Sequence, residues 1–120
     1  MIKKVDHSYD NIVAFEFLGE VNKEDFDQIV IPAIEAMIDD IDKINLVYLL
    51  NTDLSEFTMG AWWKDAMLGI QNITKWNKSA IVTDSNAIQN FTEIFSHVMP
   101  GEFKGFDKAD LDEALRWAAT

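Results

Sequence analysis

The sequence predicts one α/β domain spanning residues 1–120, with a mostly parallel sheet covered by helices in the order β-β-α-β-α-β-α-β-α. Three observations carry that reading. Short β-branched and aromatic runs alternate with segments of helical period from residue 22 onward. The run Leu46-Val47-Tyr48-Leu49-Leu50 is apolar throughout, as a strand buried on both faces of a sheet requires. The length of 120 residues suits one hydrophobic core, with no repeat, linker or low-complexity stretch to divide it.

Residues 2–7 and 11–18 read as two short strands joined by the turn Ser8-Tyr9-Asp10-Asn11. In the second, Val13, Phe15 and Phe17 share one face, and Ala14, Glu16 and Leu18 the other. Asn22 is placed to cap a helix, with Asp25 three residues on as the reciprocal partner. Phe26, Ile29, Val30, Ala33, Ile34, Met37 and Ile38 then follow helical spacing, and Pro32 predicts a kink or break within it. Residues 44–50 form the central strand. A second helix opens at Thr58 or Phe57 and runs to about Trp76, and Met59, Trp62, Trp63, Ala66, Met67, Ile70, Ile73 and Trp76 cover about half its circumference. Residues 80–83 are a short strand. Asn86 opens a helix whose apolar side is Ile88, Phe91, Ile94, Phe95, Val98 and Met99, ended by Pro100-Gly101. Residues 103–106 form the last strand, and Asp107 caps a terminal helix carrying Leu111, Ala114, Leu115 and Ala118.

Composition narrows the function. With no cysteine, the chain offers no disulfide, thiolate zinc site or cysteine nucleophile. A net charge of −11 repels phosphate backbones, so nucleic acid is not an expected partner. The first residues break into charge before any apolar stretch forms, and no segment approaches 18 apolar residues, which predicts a cytoplasmic protein. The acidity is uneven. Residues 58–79 carry Lys64, Lys75 and Lys78 against Asp65, and hold three of the four tryptophans.

Several motifs recur in a telling order: Gly19-Glu20-Val21-Asn22-Lys23-Glu24-Asp25-Phe26 with Pro32 behind it, Phe57-Thr58-Met59-Gly60-Ala61-Trp62-Trp63-Lys64-Asp65, Ala80-Ile81-Val82-Thr83-Asp84, and an ending from Phe106-Asp107 through Ala114-Leu115-Arg116-Trp117. In these, the chain resembles the SpoIIAA-like family over nearly its whole length. The resemblance implies a STAS-like fold and a likeness in shape to lipid-carrying CRAL-TRIO domains. Better-known STAS proteins, antagonists of anti-sigma factors, switch when a serine at the start of the second helix is phosphorylated. Here residues 51–60 lack the Asp-Ser-Ser-Gly of that switch, so Ser55 and Thr58 read as capping or turn hydroxyls in preference to phosphoacceptors.

No nucleophile, base or cofactor motif stands out, and neither an enzyme nor a bound cofactor or metal is expected. His7 and His97 have no companions at diagnostic spacing and read as surface residues. Asp39-Asp40-Ile41-Asp42 lacks the glycine and distal glutamate of a calcium loop and reads as a solvated helix end. The wide aromatic arc is the feature that exceeds ordinary packing. Trp62, Trp63, Met67 and Ile70, facing Phe91, Phe95 and Met99, could line a cleft for an apolar or lipid-like molecule. Trp62, Trp63, Lys64 and Trp76 could instead contact a membrane, peripherally at its inner face. The third use of the same arc is plain core packing with a homodimer interface. A non-enzymatic binding module is the leading expectation, and a STAS-type regulatory module that docks a protein partner is the alternative.

Overall fold

Alternation in the second strand sorts the two faces of the sheet. The computed structural model describes residues 1–51, 76–84 and 101–120, and within them the strands β1 (Ile2–Lys4), β2 (Val13–Leu18), β3 (Ile44–Asn51), β4 (Trp76–Thr83) and β5 (Glu102–Asp107) lie side by side in chain order. β1 runs antiparallel to β2, and β2 through β5 are parallel. The mainly parallel sheet and the central place of β3 are as the sequence predicts.

The strands differ from their expected bounds where pairing outruns composition. β1 stops at Lys4, although the Val5 N–H still donates to the Ala14 carbonyl at 2.9 Å. β4 begins four residues earlier than the apolar run Ala80-Ile81-Val82, because Trp76, Lys78 and Ser79 pair with Ile44, Asn45 and Leu46 of β3. Asn77 is skipped in that register, leaving a bulge at the start of β4.

Asn22 and Asp25 form the expected reciprocal cap: the Asp25 N–H donates to Asn22 Oδ1 at 2.9 Å, and the Asn22 N–H to Asp25 Oδ2 at 3.4 Å. The helical run begins as α1 (Lys23–Asp25), widens into a π turn (Phe26–Val30) and continues as α2 (Ile31–Ile41). This π turn is the break expected near Pro32. The Ile31 N–H reaches the Phe26 carbonyl, five residues back. Proline has no N–H to continue an α-helical ladder, and its ring would press on the carbonyl four residues earlier, so a widened turn relieves both problems. α2 ends at Asp42, a left-handed residue with φ 59° whose N–H donates to the Ile38 carbonyl at 3.0 Å.

Two apolar layers result. On the α2 side, Phe15, Phe17, Leu46, Tyr48 and Ile81 pack with Phe26, Val30 and Ile34. The Tyr48 ring lies 5.4 Å from that of Phe17, edge to face, and 6.2 Å from that of Phe15. Full burial of each phenylalanine contributes about 1.5–3 kcal/mol. On the other side, Ala14, Val47, Ala80 and Val82 meet Ala114, Leu115 and Ala118 of the terminal helix α3 (Leu111–Ala119). Asp107 caps its approach, Oδ1 accepting from the Ala109 N–H at 3.0 Å, through a 3-10 turn at Lys108–Asp110. Lys78 closes its other end: Nζ donates to the Trp117 carbonyl at 3.2 Å and to Thr120 Oγ1, and lies 5.3 Å from the centre of the Trp117 ring.

Candidate functional site

A cleft of about 460 Å³ opens between α2 and the loop that joins β1 to β2. One wall is a stripe of α2. Ala33, Ala36, Met37, Asp40 and Ile41 line it, and their spacing of three and four residues places them on one helical face. Small side chains at 33 and 36 leave room beside the sheet that larger residues would occupy. Val13 and Ala14 of β2, with Ile12 before them, continue the apolar lining. Val5 and the charged or polar Lys4, His7 and Asp10 form the opposite wall.

The loop wall is tied at several points. His7 Nδ1 accepts from the Tyr9 N–H at 3.1 Å. Asn11 anchors the far end, its Nδ2 donating to the Ala119 carbonyl at 2.8 Å. Asn45, which is only 3 % exposed, continues the chain of contacts. Its Nδ2 donates to the Asn11 carbonyl at 2.9 Å, and its Oδ1 accepts from Asn77 Nδ2 at 2.8 Å. Its backbone N–H meets Met37 Sδ at 3.3 Å, beside the cleft. Three asparagines thus join α3, the hairpin loop, β3 and the β4 bulge.

His7 is half-buried at the cleft wall, whereas the sequence reads it as a surface residue at a strand end. Asp39, Asp40 and Asp42 are exposed at the end of α2, as expected, but Asp40 also lines the cleft. Trp76 requires a correction. The sequence places it at the end of the aromatic helix and among the membrane contacts. It is instead the first residue of β4, opposite Ile44, and is 5 % exposed within the apolar core. Strand pairing holds its indole against the α2 side of the sheet, where it cannot meet a membrane. Trp62, Trp63, Lys64, Met67, Ile70, Phe91, Phe95 and Met99 lie outside the described residues, as do Ser55, Thr58 and His97. Sequence reasoning passed over the asparagine chain. Its available signal was Asn45 itself, a polar residue inside the otherwise apolar run from Ile44 to Leu50.

Among the described residues, Tyr48 is the titratable group that its surroundings clearly shift. Burial raises its hydroxyl well above the ordinary tyrosine pKa. Among the described residues, no three His, Asp or Glu side chains converge as a metal site, and no helix is long and apolar enough to cross a membrane.

A five-stranded mixed α/β sheet with these helices is a STAS-like, SpoIIAA-like fold. The SpoIIAA-like family matches residues 12–119, and the chain belongs to that family. A solved structure of an uncharacterised protein from Shewanella loihica PV-4, belonging to a family of unknown function with a SpoIIAA-like fold, is similar over 98 % of this chain and 93 % of that one. The two share 26 % sequence identity with a TM-score of 0.65. No curated protein matches.

Proposed function

We propose that this SpoIIAA-like domain is a non-enzymatic binding module that holds a small molecule with an apolar body. The cleft between α2 and the hairpin loop carries the reading: its size falls within the range of small-molecule sites, about 300–1,000 Å³, and its lining is largely apolar with few polar groups at the rim. The aromatic stretch supports the same reading from a second place. Trp62, Trp63, Met67 and Ile70 with Phe91, Phe95 and Met99 supply the residue types of a repacking apolar wall. A carrier role like that of CRAL-TRIO domains, with Trp62, Trp63 and Lys64 resting transiently on a membrane, is the finer form of the proposal.

Native mass spectrometry of freshly purified protein, followed by titration with the neutral probe Nile red, tests it. A co-purifying small mass or saturable probe binding is expected. Ala36→Trp, which fills the hairpin cleft, and the double variant Trp63→Ser with Met67→Ser then locate the site by which of them loses the probe. Absence of both a co-purifying mass and saturable binding in the wild type would overturn the proposal.

A further inference from the structure

The end of α2 is electrostatically unusual. A helix C-terminus carries the negative pole of the backbone dipole and unbonded carbonyls, and cations normally gather there. α3 follows that rule, because Lys78 reaches the Trp117 carbonyl. The last turn of α2 contains no basic residue. It presents Asp39 and Asp40, followed by Asp42, with Lys43 as the nearest cation in sequence. Like charge is therefore concentrated at the pole that disfavours it.

This acidic pole borders an apolar cleft. Asp40 and Ile41 belong to the α2 wall, while Asp10 stands on the loop wall, so both walls of the cleft carry a carboxylate. Among the described lining residues the other polar groups are Lys4 and His7, and His7 Nδ1 already accepts from the Tyr9 N–H. Beneath them the lining is Ile12, Val13, Ala14 and Met37. A net charge of −11 deepens the negative potential across the molecule.

We propose that the cleft binds an amphipathic cation, a primary ammonium or similarly compact positive group on an apolar body, with its head between Asp10, Asp40 and the carbonyl end of α2. This rests on the binding-module reading above and adds the chemical class of the ligand. The apolar body covers the alanine, valine and methionine surface, and the head meets Asp10, Asp40 and the negative pole of α2. A fatty acid would place its carboxylate against the same acids and the same helix pole, with Lys4 as the cation among the described lining residues. Charge complementarity thus selects the amine.

Decylamine, decanol and decanoate share one apolar body and differ in the head group. Their binding to the purified chain, measured by calorimetry with amide chemical shifts at Ile12, Ala36 and Met37 to locate it, separates the contributions. Decylamine is expected to bind about tenfold more tightly than decanoate, and the preference should shrink in high salt. Replacing both exposed acids, Asp10→Asn and Asp40→Asn, should weaken decylamine by about threefold to tenfold while leaving decanol unchanged. Ala36→Trp should abolish binding of both, which distinguishes the cleft from loose attraction of amines to an acidic surface. Equal affinity for decanoate, or amine binding indifferent to the two Asn substitutions or to Ala36→Trp, would overturn the cation assignment. Binding of decanol in the cleft would leave the binding-module reading standing in that case, and failure of all three ligands would count against both.

Discussion

Gly101 approaches the β4 bulge so closely that a Cβ added to it would lie 2.8 Å from the Trp76 carbonyl oxygen and 2.9 Å from that of Asn77. Its φ of +85° independently disfavours any other residue. The contact is with backbone, which cannot swing aside as a flexible side chain would. Gly101→Ala should therefore lower stability by about 2 kcal/mol or more, combining left-handed strain with displacement of the bulge. Urea unfolding measures it, and an unchanged midpoint would show that the bulge does not depend on this glycine.

The asparagine chain should be costly to interrupt at its buried member. Asn45→Ala leaves the Asn11 carbonyl and the Asn77 amide without their partner and should cost about 1–3 kcal/mol. Asn77 is half-buried, so water replaces part of what Asn77→Ala removes, and its loss should be smaller. A double-mutant cycle should give a positive coupling between the two. Strict additivity would mean that the 2.8 Å contact contributes nothing to stability.

At the end of α2, the backbone angle rather than the side chain should dominate the response to substitution. Asp42→Val places a β-branched residue at φ 59° and should lose about 1–2 kcal/mol, whereas Asp42→Gly should hold or raise stability. Equal losses in the two variants would point to a side-chain role for Asp42 instead.

Tyr48 links stability to alkaline pH. Its pKa in the folded chain is well above the ordinary value because burial disfavours the phenolate, while in the unfolded chain it ionises near pH 10. The stability held by the protonated ring is thus fully present below about pH 10 and declines above it, by about 1.4 kcal/mol per pH unit, until the folded-state pKa is reached. Tyr48→Phe should remove this slope. Chemical unfolding at several pH values from 9 upward compares the two, and parallel curves would contradict the linkage.

By the resemblance in sequence alone, Ser55 and Thr58 correspond to the region of the STAS phosphoswitch, without its motif. Ser55→Asp and Thr58→Asp should shift stability by no more than a capping loss of about 0.5–2 kcal/mol and should leave the set of proteins recovered with the chain unchanged. A partner gained or lost with the Asp variants would favour a regulatory module over the binding role proposed above.

Much of this architecture was legible residue by residue. The two-residue period from Val13 to Leu18 separates the faces that meet α2 and α3, and the unbroken run from Leu46 to Leu50 marks the central strand. Asn22 with Asp25, and Asp107, announce their caps through side-chain chemistry alone. Pro32 signals a break, though its sequence could not choose a π turn over a kink, because that depends on which carbonyl the next free N–H reaches.

The amino-acid sequence by itself determined the order of the strands and helices among the described residues, the two apolar faces and the SpoIIAA-like membership, since these follow from local periodicity, capping and motif spacing. Tertiary structure decided Trp76, which sits among residues of helical spacing yet joins β4 because Ile44 of a distant segment pairs with it. It also decided the cleft. Ala36, His7, Asp10 and Asp40 carry no shared signal along the chain, and they line one space only because the parallel pairing of β2 with β3 brings α2 back beside the hairpin loop. Such contacts depend on surfaces far apart in sequence, and no local pattern encodes them.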